Sequence, residues 1–285
     1  KFMDANNKIH APFKDNNATP GIYLPTGHNA NPLYDRENTA YPSFLSSEQN
    51  RAAVVEKAKK LKVFHLSFIS IGMVKNFEDF KLLLEELKDA KVKISFDTNI
   101  RPTVMNEIFS KNNPNISPQQ AFETILPYID ILLAGAGDLY EIYKKEKSDE
   151  GSKEDNVNVQ EFANLIKPLL TKDGAQLIIK RGLPGVSILD ENGKLKLIKQ
   201  THNIKTTKTK AVVKDTTGGG DSWNGAFLFT EVHAKTMTLE DRIDFANCVA
   251  GWVVAHEGAI VPDEFLEKKI IEFVPKIEEH YSAAA

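Results

Sequence analysis

Residues 213–227 read Val213-Lys-Asp-Thr-Thr-Gly-Gly-Gly-Asp-Ser-Trp-Asn-Gly-Ala-Phe227, with three consecutive glycines that lead into a predicted helix. Glycine lets the backbone turn tightly, and it lets backbone N–H groups approach a ligand without a Cβ in the way. A helix N-terminus adds unpaired N–H donors and a partial positive charge. Gly218, Gly219 and Gly220 are therefore candidates for an anion site that suits phosphate.

Asp221 follows these glycines directly. A carboxylate repels phosphate, so it is badly placed as a phosphate ligand, but it can take a proton from a hydroxyl that attacks a phosphate. The alternative is a plain loop in which Asp221 caps the helix. No Gly-Lys-Ser/Thr follows the glycines, so the stretch is not a Walker A loop.

Composition and charge indicate an ordinary globular protein. The 285 residues, 41% of them hydrophobic, are enough for one large α/β domain or two small ones. The net charge of −3 argues against nucleic acid or an anionic membrane as a partner. The sequence has no long apolar run and no signal-peptide pattern, and its single cysteine, Cys248, fits a reducing compartment. We expect a cytoplasmic protein.

Strand-like and helix-like segments alternate along the chain, which predicts an α/β fold with a mostly parallel central sheet flanked by helices. We expect an irregular segment at 1–20, a small β flap or lid at 21–45, and an α/β domain at 46–280. The charged segment 144–156 is predicted to be a surface loop, followed by a helix at 159–170. Further helices are predicted at 76–91, 219–232, 239–256 and 263–277, and a hairpin at 185–198.

The stretch from Asp215 to Leu228 closely resembles the C-terminal signature of the ribokinase (pfkB) family of carbohydrate kinases. That signature usually reads Asp-Thr-x-Gly-Ala-Gly-Asp-x-Phe-x-x-Gly, so Gly219 stands for the common Ala and Trp223 for the common Phe. The resemblance implies a ribokinase-like fold, Asp221 as the catalytic base and Gly218–Gly220 as the anion hole. It also implies ATP and Mg²⁺ as cofactors, and it allows a monovalent cation such as K⁺.

Two other segments resemble the nucleotide side of this family. Ile178-Ile-Lys-Arg-Gly-Leu-Pro-Gly185 is similar to its strand and Gly-x-x-Gly turn, and Phe245-Ala-Asn-Cys-Val-Ala-Gly251 to its late helix. The resemblance implies ATP-binding roles for Lys180, Gly182, Gly185 and Asn247. The alternatives are that Lys180 and Arg181 are ordinary charges at a strand end and that Asn247 lies on a helix surface.

The stretch Phe96-Asp-Thr-Asn-Ile-Arg-Pro102 resembles a motif of the 2-keto-3-deoxygluconate kinases within this family. The resemblance implies that Arg101 contacts the acid end of the substrate, and a guanidinium can bind a carboxylate through two parallel hydrogen bonds. The alternative is a surface arginine held by a neighbouring Asp. Segments 19–24 and 33–40 resemble the flap strands of the same branch, which implies Tyr23, Tyr34 and Arg36 as further ligands. Without that resemblance the two tyrosines would be packing residues.

The sequence departs from the family pattern at two places. Many members have Asn-x-x-Glu after the strand near residue 130, whereas this chain has Gly135 and Asp138. We expect Asp138 to stand for the Glu on the metal side of the site. Members also begin with strands and a Gly-Gly motif that do not precede Lys1, so we expect the N-terminal part of the fold to be missing from this sequence.

The resemblance implies an enzyme that uses ATP to phosphorylate the terminal hydroxyl of 2-keto-3-deoxygluconate. Its expected partners are a small-molecule sugar acid and ATP, and related enzymes form homo-oligomers, either dimers through the flap or larger assemblies. One alternative is a kinase of the same family that acts on fructose, ribose or a nucleoside. Another is a catalytically inactive paralogue that serves as a binding module.

Overall fold

The computed structural model describes residues 41–259, apart from Leu183, Glu191, 200–212 and Lys235, together with four short strands before them. These strands are β1 (Phe2–Met3), β2 (Ile9–His10), β3 (Gly21–Tyr23) and β4 (Leu33–Asp35). β1 pairs with β2 and β3 pairs with β4, both in antiparallel fashion. The described part of the chain does not include Arg36, the side chains of Tyr23 and Tyr34, or the predicted helix at 263–277.

Helices and strands alternate through the rest of the chain. In order they are α1 (Tyr41–Phe44), α2 (Glu48–Ala58), β5 (Phe64–Ser67), α3 (Phe68–Gly72), α4 (Phe77–Asp89), β6 (Ile94–Asp97), a π-helix (Val104–Phe109), α5 (Ser110–Asn112), α6 (Pro118–Ile125), β7 (Ile131–Gly135), α7 (Ala136–Ile142), α8 (Lys153–Ile166), β8 (Gln176–Lys180), β9 (Val186–Leu189), β10 (Leu195–Ile198), α9 (Gly219–His233) and α10 (Leu239–Val254). Among the described helices, none has both the length and the apolar character needed to cross a bilayer.

The central sheet has six strands in the order β10-β9-β8-β7-β6-β5. Strands β5 to β8 are parallel to one another, and the β9–β10 hairpin continues the sheet in antiparallel fashion. The predicted α/β fold with a mostly parallel sheet is thus confirmed. Because the four parallel strands end at the same edge, the residues after β6, β7 and β8 lie close together, as is usual for ligand sites in such sheets.

The two faces of the sheet bury different kinds of residue. On one face, alternate strand residues such as Phe96 and Leu132 join a large apolar cluster formed with α2, α4, α6 and α8. On the other face, Ile131, Leu133 and Ile178 pack against α9 and α10. This second face is polar over β5 and β6, where alternation places His65, Ser95 and Asp97.

The predicted loop and helix around residues 144–170 need correction. α8 begins at Lys153 rather than Val159, because Ser152 caps it by accepting a hydrogen bond from the Asp155 N–H at 3.0 Å. Their charge had suggested a loop, but Glu154 and Asp155 lie in the first turn of α8. Acidic side chains at this position stabilise a helix, because the helix N-terminus carries a partial positive charge. A 3₁₀ turn, Lys167–Leu169, replaces the predicted last turn, and it contains Pro168, which has no N–H to continue an α-helix.

Candidate active site

The glycine run forms the start of α9. Gly218 is the N-cap residue, and its φ of +78° is in the left-handed region that glycine adopts without strain. A Cβ at Gly218 would lie 2.7 Å from the Cβ of Ala259, whereas a Cβ at Gly220 would meet nothing within 4 Å. Among the described residues, the N–H groups of Gly220 and Asp221 have no hydrogen-bond acceptor. The loop therefore presents two free donors beside open space, as an anion site requires.

Asp215 fixes the shape of this loop. Its Oδ1 accepts from the Thr217 N–H at 2.8 Å and its Oδ2 from the Gly258 N–H at 2.9 Å. These hydrogen bonds, first of all those from Thr217, hold the pKa of the Asp215 carboxyl below its usual value. The carboxylate thus joins the approach to α9 with the turn that follows α10.

Asp221 is exposed in the first turn of α9. It does not cap the helix, because Gly218 occupies the N-cap position and no side chain bonds there. Within the described part of the chain, its carboxylate forms no hydrogen bond and no ion pair. The capping alternative therefore does not hold, and the geometry leaves the carboxylate free to accept a proton from a ligand.

Lys180, the last residue of β8, connects the sheet to α9. Its Nζ donates to Asp97 Oδ1 at 2.9 Å and to Asn224 Oδ1 at 2.8 Å. The Nζ also lies 5.8 Å from the centre of the Trp223 ring. Lys180 is thus not an ordinary solvated charge at a strand end. The sequence motifs contained Asp97 and Asn224, but no signal in them indicated that a lysine more than 40 residues away would join the two.

The turn after β8 is built around Gly182 and Gly185, which have φ values of +66° and +115°. A Cβ at Gly182 would lie 2.9 Å from the Glu150 carboxylate, so the charged loop 144–152 packs directly against this turn. Arg181 holds the loop there through a buried ion pair with Asp155, whose Oδ1 also accepts from the Tyr140 hydroxyl at 2.9 Å. Arg181 is therefore part of the interior rather than a surface charge.

Asn247 is buried between α10 and α9. Its Oδ1 accepts from Trp223 Nε1 at 2.9 Å, while its Nδ2 is buried without a partner among the described residues. The alternative of a surface asparagine is therefore wrong. The Trp that stands for the common Phe of the family signature supplies the N–H that fixes this side chain.

Arg101 lies exposed after β6, at the carboxyl edge of the sheet. Its Nη1 donates to the Ile100 carbonyl at 3.2 Å, and within the described residues its guanidinium forms no ion pair. The alternative of an arginine held by a neighbouring Asp is therefore not observed. The charge is available to an anionic ligand.

Gly135 leaves room for the Asp138 side chain at the start of α7. Asp138 Oδ2 accepts from Thr98 Oγ1 at 2.7 Å, and a Cβ at Gly135 would lie 2.6 Å from that same oxygen. Glycine at 135 thus lets the carboxylate turn toward the end of β6. Burial raises the pKa of Asp138, although the Thr98 hydroxyl and the Ile100 N–H oppose this effect. No group of three or more His, Cys, Asp or Glu side chains in the described ranges could hold a metal alone.

Comparison with known proteins identifies the family. Residues 20–265 match the model of the pfkB family carbohydrate kinases, and the chain belongs to that family. It is 25% identical over 258 residues to a 2-dehydro-3-deoxygluconokinase of Haemophilus influenzae, covering 87% of this chain and 71% of that protein.

Two solved structures have a similar fold. The 2-dehydro-3-deoxygluconokinase of Thermotoga maritima superposes with a TM-score of 0.56 at 15% identity, covering 81% of this chain and 65% of that one. The ribokinase of Arabidopsis thaliana, complexed with ribose and ATP, gives a TM-score of 0.56 at 18% identity, covering 84% of this chain and 64% of that one. The chain thus spans less than two thirds of the length of either protein.

Proposed function

We propose that this protein transfers the γ-phosphoryl group of ATP to the terminal hydroxyl of a sugar acid of the 2-keto-3-deoxygluconate type. The observation that supports this most strongly is the free Asp221 carboxylate beside the unpaired N–H groups of the Gly218–Asp221 turn. Asp221 accepts the proton of the attacking hydroxyl, while the glycine loop stabilises the negative charge of the transferred group.

The nucleotide lies, in this proposal, along the Gly182–Gly185 turn and near Asn247. Mg²⁺ supplies positive charge that offsets the phosphates, and such an ion is commonly held by one or two carboxylates together with substrate phosphates. Asp138 is the carboxylate that we propose for it, since its Oδ1 accepts only one hydrogen bond, from the Ile100 N–H at 3.2 Å. Positioning of the two substrates provides most of the rate enhancement.

Sugar-acid specificity rests on Arg101, with Tyr23, Tyr34 and Arg36 of the flap as further proposed ligands. The unpaired guanidinium at the carboxyl edge of the sheet favours an anionic acceptor, because a neutral sugar offers no charge to balance it. The 2-dehydro-3-deoxygluconokinase relatives support the same substrate class.

The assignment of the base predicts that Asp221→Asn lowers kcat by about 10²–10⁴-fold, because it removes the proton acceptor. ATP affinity should stay within a few-fold, since Asn keeps the shape of the loop. A coupled assay for ADP and titration calorimetry measure the two quantities. Asp149→Asn, a change at an exposed carboxylate in loop 144–152, is the matched control and should behave like wild type. Near-normal turnover of Asp221→Asn would remove Asp221 as the base.

The specificity assignment predicts that Arg101→Ala raises KM for 2-keto-3-deoxygluconate by about 10- to 100-fold, since a hydrogen-bonded charge contributes roughly 1.5–3 kcal/mol. Any activity on ribose or fructose should change little. Lys111→Ala, which removes an exposed lysine of the short helix α5, is the control. An equal effect of Arg101→Ala on acidic and neutral sugars would contradict the proposal.

Wild-type protein that binds ATP but phosphorylates no acceptor would favour the inactive binding module.

A further inference from the structure

We propose that Lys180 is a positioning residue, which holds the first turns of α9 against the sheet and thereby sets the place of Asp221. This inference rests on the proposed function, and it differs from the ATP-binding role that the family resemblance implies for Lys180. Its basis is the group of contacts that Lys180 Nζ makes with Asp97, Asn224 and Trp223.

The Lys180 ammonium group already uses two of its three donors within the protein. An ammonium group has three N–H donors. One donates to Asp97 Oδ1 at 2.9 Å and one to Asn224 Oδ1 at 2.8 Å. The third has no hydrogen-bond acceptor among the described residues, and the centre of the Trp223 ring lies 5.8 Å from Nζ. The Lys180 side chain is 17% exposed and that of Asp97 is 5% exposed, so neither charge is well solvated. Lys180 can therefore offer at most one N–H to ATP while it keeps these two hydrogen bonds.

These contacts connect the right elements for a positioning role. Asp97 ends β6 and Lys180 ends β8, so the lysine reaches across the end of β7, which lies between them. Asn224 lies three residues after Asp221, on the adjacent turn of α9. A shift of α9 along the sheet would therefore break the Lys180–Asn224 hydrogen bond and move Asp221 with it. A displacement of about 1 Å can cost about 10²-fold in rate.

A second lysine–aspartate pair, at the opposite edge of the sheet, provides a matched control. Lys172 Nζ lies 2.7 Å from Asp130 Oδ2, with side-chain exposures of 17% and 23%. This pair precedes β7 and β8, and neither residue hydrogen-bonds to α9 in the structure. Loss of either lysine leaves an aspartate without its charge partner. Only loss of Lys180 also removes a hydrogen bond to α9.

The kinetic test compares Lys180→Met with Lys172→Met. We expect Lys180→Met to lower kcat by at least about 10-fold with KM for ATP changed less than about threefold, because the binding turn is intact while the base is displaced. Lys172→Met should lower thermal stability without this loss of kcat. A rise in KM for ATP at unchanged kcat in Lys180→Met would overturn the proposal and restore the ATP-binding role.

Variants at Asn224 keep the test valid if Lys180→Met does not fold, since they leave the Lys180–Asp97 pair intact. Asn224→Leu removes the acceptor and should reproduce the loss of kcat, whereas Asn224→Asp keeps an acceptor oxygen and should lose at least fivefold less. The effects of Lys180→Met and Asn224→Leu should not multiply in the double variant, because they break the same link. Fully multiplicative effects would contradict the proposal.

Hydrogen exchange tests the inference without any turnover. Peptides covering residues 218–224 should exchange faster in Lys180→Met and Asn224→Leu than in wild type, and at the wild-type rate in Lys172→Met. Unchanged exchange in both of the first two variants would overturn the positioning role. If wild-type protein phosphorylates no acceptor, the proposed function fails, but this comparison still decides whether Lys180 holds α9.

Discussion

Trp223 supplies an N–H group at a position where the family signature commonly has phenylalanine. Its Nε1 donates to Asn247 Oδ1, and both side chains are buried. We predict that Trp223→Phe lowers the free energy of unfolding by about 1–3 kcal/mol, because it leaves a buried carbonyl oxygen without a donor. Urea unfolding at neutral pH measures this change.

The double variant Trp223→Phe/Asn247→Leu controls for lost packing. Replacing both partners of a buried hydrogen bond by apolar groups can be nearly neutral, so the double variant should be more stable than the sum of the two single changes predicts. Additive losses would mean that the Trp223–Asn247 hydrogen bond contributes no coupling between α9 and α10.

At single positions, the sequence allowed us to name candidates but not their partners. The glycine run and Asp221 could be identified because glycine, helix start and acid are adjacent in the chain. The lysine at 180 could not be matched with Asp97, since the two are 83 residues apart and meet only after the sheet has formed. The pairing of Arg181 with Asp155 was hidden for the same reason, and ordinary charges at a strand end had remained an alternative for both Lys180 and Arg181.

Loop 144–152 and helix α8 are joined to the β8–β9 turn by Asp155. Burial alone would raise the pKa of Asp155, but hydrogen bonds from Arg181, the Gly151 N–H and Tyr140 outweigh burial and hold the pKa below its usual value. The native state thus binds fewer protons here than the unfolded state. The resulting stabilisation is present above the unfolded pKa of about 3.9 and is lost as the pH falls through the lower native pKa.

We therefore predict that Asp155→Asn loses about 3–5 kcal/mol at pH 7, because Arg181 is left as an uncompensated buried charge. The free energy of unfolding of this variant should also fall less steeply than that of wild type as the pH drops below about 4. Urea unfolding at several pH values tests both. Asp149→Asn should follow the wild-type curve, and an acid dependence unchanged by Asp155→Asn would contradict the assignment.

Regular elements were predictable where local patterns decide them. The apolar spacing of α4 predicted its buried face, Phe77, Phe80, Leu83, Leu84 and Leu87, and all five are buried. The β9–β10 hairpin followed from the Asp-Glu-Asn-Gly turn. The π-helix Val104–Phe109 was not predicted, since its extra residue per turn has no short-range sequence signal, and the start of α8 was misplaced by its charges.

The described part of the molecule has two apolar layers of unequal size. In the described part of the chain, 35 buried hydrophobic residues form the layer with α2, α4, α6 and α8, and 11 form the layer with α9 and α10. Less apolar area buried means a smaller free energy for local opening. We predict that amides of α9 and α10 exchange at lower opening free energies than those of α4 and α8 in native-state hydrogen exchange. Opening of α4 or α8 first would contradict this ranking.

Trp223 belongs to the smaller layer, and the other tryptophan of the chain, Trp252, lies on α10, one of the two helices that form this layer. Tryptophan emission is therefore a selective optical probe of that layer, whereas far-ultraviolet circular dichroism averages over every helix. If the smaller layer opens first, the fluorescence midpoint in urea will precede the dichroism midpoint. Intrinsic tryptophan fluorescence can therefore report, without any added label, on the opening of the smaller layer, which includes the helix that carries Asp221.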